Sequence, residues 1–74
     1  MVDRQLDCQG LNCPMPIVEI TKAVREMSDG QALEVLATDL AFKLDVEAWS
    51  RRTGHSIESL EEGPVLRALI RIHK

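Results

Sequence analysis

The chain has 74 residues, a formal net charge of -3 at pH 7 and a pI of about 5.2. That length allows one domain (1–74) around one modest core. The acidic balance argues against a direct nucleic-acid partner, because phosphate contacts need a basic surface. Aromatics are only 3% of the residues, so the core is expected to be aliphatic, with Phe42 and Trp49 as its bulky exceptions.

The start shows no charged segment followed by an apolar run, so no signal peptide is expected. No apolar run approaches membrane-spanning length. The expected location is the cytoplasm, with no membrane partner. The two cysteines, Cys8 and Cys13, are too few for the usual secreted disulfide scaffold and are expected to rest as thiols.

In chain order, Gln5–Cys8 alternates polar and apolar residues and predicts a short strand with Leu6 and Cys8 inward. Gly10 breaks it and supplies a backbone angle that a side chain would hinder. The stretch Cys13-Pro14-Met15-Pro16 stands just before an amphipathic run. Proline is tolerated in a first helical turn, so the pair predicts a helix start. The helix is expected from about Pro14 to Met27, with Ile17, Ile20, Val24 and Met27 as its apolar stripe. Ser28-Asp29-Gly30 ends it.

Gln31–Ala37 predicts a second strand, with Leu33, Val35 and Ala37 on one face. Thr38-Asp39 is a good N-cap pair for a second helix from about Leu40 to Arg52, whose inward stripe is Phe42, Val46 and Trp49. Thr53-Gly54 closes it. His55–Glu61 predicts a third strand, in which Ile57 and Leu60 share a face only if a bulge shifts the register. Val65–His73 predicts a fourth, with Leu66, Ala68, Ile70 and Ile72 on one side. The order β-α-β-α-β-β implies an α/β two-layer sandwich, two helices packed on one face of a four-stranded mixed sheet. Glu34, Arg67 and Arg71 suit a solvated opposite face.

Cys13 is the leading candidate for chemistry. At or beside the N-cap it is expected to meet unpaired N–H groups and the positive end of the helix dipole, which favour a thiolate. Glu19 would slightly oppose that charge. The bland alternative is a small hydrophobe buried at a helix start. Cys8 reads as an inward strand residue, the alternative being a resolving thiol for Cys13. His55 and His73 lack ligand-like spacing, and C-x4-C with scattered histidines fits a zinc finger poorly, so no metal is expected. Asp39 reads as a cap and Asp45 as helix decoration, against the possibility of a paired acid and base. Lys22, Lys43, Arg51, Arg52, Arg67 and Arg71 can dock acidic partners, although most surface charges only solvate.

The run Leu6-Asp7-Cys8-Gln9-Gly10-Leu11-Asn12-Cys13-Pro14-Met15-Pro16 resembles the signature of the TusA (SirA-like) sulfur-carrier family, L-D-x-x-G-x-x-C-P-x-P. The resemblance continues through Thr38-Asp39, Asp45, Ala48-Trp49 and Thr53-Gly54-His55. It implies the same β-α-β-α-β-β sandwich and a persulfide on Cys13, with Gly10, Pro14 and Pro16 as supporting motif residues. It implies no cofactor beyond that covalent sulfur. The implied donors are a cysteine desulfurase or a rhodanese. The implied acceptors are DsrE-type relay proteins, serving tRNA thiolation, cofactor assembly or sulfur oxidation. Many members carry Pro-Gly after the Thr-Asp pair; here Leu40-Ala41 stand there. The competing readings are a regulatory or interaction module on the same fold, and a Cys8/Cys13 thiol redox protein.

Overall fold

The computed structural model describes residues 2–74. Its elements are β1 (Arg4–Cys8), α1 (Met15–Arg25), β2 (Ala32–Ala37), α2 (Phe42–Thr53), β3 (Ser56–Glu61) and β4 (Leu66–Arg71). The strands form one mixed sheet in the order β1-β2-β4-β3. β1 runs parallel to β2, with Leu6 opposite Val35 and Cys8 opposite Ala37. β4 pairs antiparallel with both β2 and β3. The parallel pair requires a crossover, and α1 supplies it.

The expected order and layers are both present. The strand alternation decides which face is covered. Leu33, Val35 and Ala37 of β2, with Ala68 and Ile70 of β4 and Ile72 just beyond it, are fully buried. They meet Ile20, Ala23 and Val24 of α1 and Phe42, Val46 and Trp49 of α2 in one cluster. The opposite face sets Leu36 and Leu69 among ion pairs: Arg67 approaches Glu34 at 3.8 Å, and Arg71 pairs with Glu58 at 3.0 Å. The β3 register shifts between Ile57 and Ser59, and both Ile57 and Leu60 pack against the core cluster.

Several boundaries move inward from those expected. α1 ends at Arg25 instead of Met27, because the Glu26 and Met27 N–H groups donate to the Ala23 and Val24 carbonyls in a tighter final turn. Met27 is nevertheless buried. α2 begins at Phe42 rather than Leu40, and its N-cap is Ala41 with no side-chain capping bond. Leu40 is left 93% exposed. Gly54 closes α2 in the left-handed conformation at φ 88°, donating its N–H to the Ser50 carbonyl at 2.9 Å.

His55 is the one polar side chain among the buried residues described. Its ring lies 5.3 Å from that of Trp49, and its Nδ1 accepts the His73 N–H at 3.0 Å. An accepting Nδ1 requires the neutral imidazole. Burial, with the nearby charges of His73 and Lys74, holds the His55 pKa below its ordinary value. A depressed folded pKa means that the unfolded chain takes up the proton first. Stability is therefore full above the unfolded histidine pKa, ~6.5, and falls as the pH drops below it toward the folded value. Urea unfolding midpoints are expected to fall between about pH 7 and pH 5.5, and His55→Gln is expected to flatten that slope. In the core, Ile70→Ala is expected to cost about 2–5 kcal/mol by the same measurement.

Candidate functional site

The signature residues form the turn between β1 and α1. Gly10 adopts φ 82°, a conformation that L side chains rarely take, so the glycine expected there is required by the turn. Its N–H donates to Thr38 Oγ1 at 2.9 Å. The Cys13-Pro14 peptide is cis. Pro14 is the N-cap of α1, and Pro16, the second helical residue, is fully buried. One proline thus fits the helix start and the other anchors it to the core. Cys13 is an exposed free thiol, whereas Cys8 is a buried one, 1% exposed.

Thr38-Asp39 does not cap α2 as expected. It ties the loop before α2 to the Cys13 loop. One oxygen of the Asp39 carboxylate accepts the Cys13 N–H at 2.8 Å, and the other accepts the Ala41 N–H at 3.3 Å. The Asp39 carbonyl accepts the Phe42 N–H at 3.0 Å. One residue therefore fixes the approach of both helix starts.

This arrangement leaves the sulfur few of the free amides expected at the end of α1. The Cys13 N–H is taken by Asp39, the Met15 N–H donates to the Asn12 carbonyl, and the Val18 N–H donates to the Pro14 carbonyl. Pro16 has no N–H to offer. Among the described residues, only the Ile17 amide of the first turn lacks a partner. The charges nearest the sulfur are negative. Asp45, read from the sequence as decoration, lines one open cleft of about 200 Å³ with Cys13, Pro14, Ile17, Ala48 and Arg52. Hydrogen bonding of the thiol to Asp45 is the main cause that raises the Cys13 pKa, followed by partial desolvation and by the charges of Asp45 and Asp39. Glu19 bears on the other cysteine. It raises the pKa of Cys8, where burial is the larger cause, and it approaches Lys22 at 3.6 Å.

The placement of Asp45 beside Cys13 was not recognised from the sequence. Asp45, Ala48 and Arg52 recur at helical intervals on the side of α2 next to the buried Val46 and Trp49 stripe. Among the described residues no three His, Cys, Asp or Glu side chains are grouped to hold a metal. No helix is long and apolar enough to cross a membrane.

The sequence matches a known class of sulfur-handling protein. The family model described as sulfurtransferase TusA matches residues 4–72, and the chain belongs to the TusA family. It is 50% identical over 66 residues to the putative sulfur carrier protein YrkI of Bacillus subtilis, covering 88% of each chain. It is 44% identical over 70 residues to the sulfur carrier protein TusA of Allochromatium vinosum, covering 93% of this chain and 92% of that one. The fold superposes on the crystal structure of a SirA-like protein from Desulfitobacterium hafniense with a TM-score of 0.80, at 20% identity and over 96% and 99% of the two chains.

Replacing Asp39 by alanine removes the acceptor for two amides at once. Asp39→Ala is expected to lower stability by about 1–2 kcal/mol. It is also expected to accelerate hydrogen exchange at the Cys13 and Ala41 amides while leaving the β2 and β4 amides protected.

Proposed function

We propose that Cys13 carries sulfane sulfur as a persulfide between proteins. The observation that supports this most is the exposed, free Cys13 thiol at the C-P-x-P turn of a chain belonging to the TusA family. In the loading step, Cys13 Sγ attacks the terminal sulfur of a donor persulfide. A new S–S bond forms to Cys13, the S–S bond of the donor breaks, and the electron pair leaves on the donor cysteine as a thiolate. The Cys13 proton is given up to solvent and returned to the donor thiolate. The sum exchanges one sulfur atom between two thiols and needs no outside oxidant and no cofactor. The second transfer repeats the step with Cys13 as the leaving group.

The donor is a cysteine desulfurase or rhodanese and the acceptor a DsrE-type relay protein. The route leads to tRNA thiolation, cofactor assembly or sulfur oxidation in the cytoplasm. Hand-off between proteins suits a reactive atom on an open surface. Met15 and Leu40, neighbours in sequence of Cys13 and Asp39, are apolar and 42% and 93% exposed, which suits transient docking. Gly10, Pro14 and Pro16 serve by shaping the turn. The burial of Cys8 supports a single working sulfur over a Cys8/Cys13 redox couple.

Incubation with a sulfane-sulfur donor followed by intact-mass measurement tests this reading. The protein is expected to gain one sulfur atom; Cys13→Ser is expected to lose the gain and Cys8→Ser to keep it. No gain with desulfurase, rhodanese or polysulfide donors would make the chain an interaction module. Loss of two hydrogens on mild oxidation, dependent on both cysteines, would make it a redox protein.

A further inference from the structure

The two carboxylates beside Cys13 are not equivalent. Asp39 is committed, with each oxygen accepting a backbone N–H. Asp45 has no ion-pair partner among the described residues, whose five side-chain pairs all lie elsewhere. It lines the same cleft as Cys13 and raises the pKa of that thiol. Arg52 lines the same cleft but stands seven residues further along α2, about 10 Å down the axis. The influences of Asp45 and Asp39 on the α2 side and of partial desolvation all raise the Cys13 pKa. Each of these influences disfavours the thiolate, the form through which thiol exchange proceeds.

Resting on the carrier reading above, we propose that Asp45 selects a sulfur donor whose reactive sulfur is flanked by a basic side chain, and that pairing of this cation with Asp45 releases the Cys13 thiolate. An ammonium or guanidinium entering the cleft takes the carboxylate away from the thiol and cancels its charge. The thiol proton passes to solvent, and Sγ then attacks the donor sulfur as described. The cation is neither consumed nor altered. Without such a partner the exposed cysteine stays quiet toward stray disulfides, which reconciles its exposure with selective transfer. Asp45 is in this sense a specificity-determining residue, and the occupant of the cleft is a basic segment of the donor protein.

The test uses three small disulfides of different charge: cystamine (cationic), bis(2-hydroxyethyl) disulfide (neutral) and dithiodiglycolate (anionic). Each exchange rate at Cys13 is divided by that of a free reference thiol, so that intrinsic reactivity cancels. The wild-type protein is expected to prefer cystamine over the neutral disulfide by several-fold. Asp45→Asn is expected to abolish that preference, to raise the rate with the neutral disulfide at pH 7 and to move the pH profile of exchange to lower pH. Glu47→Gln, on the same helix, is expected to change none of these. Should Asp45→Asn fail to fold, Asp45→Ser takes its place. A cystamine preference that survives loss of Asp45, or a wild-type preference for the neutral or anionic disulfide, overturns the proposal. Exchange needs no sulfane sulfur. A protein with the cation preference but no sulfur gain would therefore remove the carrier reading alone, whereas sulfur gain without the preference would remove only this proposal.

Discussion

The Asp39 carboxylate holds the site together. It receives one amide from the loop before α1 and one from the loop before α2, at 2.8 and 3.3 Å. These loops are distant in sequence and meet because β1 and β2 are parallel neighbours, with Cys8 level with Ala37. Both strands therefore end at the same edge of the sheet, and both helices start there. The Gly10 N–H donating to Thr38 Oγ1 is the second tie across the same gap. An exposed turn of a small domain would otherwise be among its least stable parts; here it is pinned from the neighbouring strand end.

The same tie gives the site its electrostatic character. A cysteine at a helix N-terminus ordinarily gains acidity from free amides and the dipole. Here prolines occupy two of the relevant positions, Asp39 takes the Cys13 amide, and Asp45 faces the sulfur. The neighbouring Asp45 and Asp39 carboxylates raise the Cys13 pKa. Exposure and reactivity are thereby separated. The sulfur is exposed, and in the proposed hand-off its ionisation depends on what is brought into the cleft beside it.

Most of the fold was legible because hydrophobic periodicity and burial agree. The period-2 pattern of Leu33, Val35 and Ala37 and the helical spacing of Phe42, Val46 and Trp49 identify one buried face each, and all six are in the core. Gly10 and Gly54 were legible as turn residues for the same local reason, their positive φ. The start of α2 was misread because Thr38-Asp39 is chemically suited to cap a helix, whereas here its side chains serve a partner loop nearly thirty residues away. The carboxylate beside Cys13 was missed for a related reason. Proximity of Asp45 to Cys13 is a tertiary fact, produced by packing α2 beside α1, and no local pattern encodes it. Cys8 was readable, since it continues the face begun by Leu6.

The central claim is that the carboxylates beside the exposed Cys13 disfavour its thiolate. An NMR titration following the Cβ shift of Cys13 measures this directly. The account predicts an ionisation midpoint above the ordinary cysteine value of ~8.5, moving down in Asp45→Asn. A midpoint below that value, unchanged by Asp45→Asn, would contradict it and restore the helix end as the dominant influence on the sulfur.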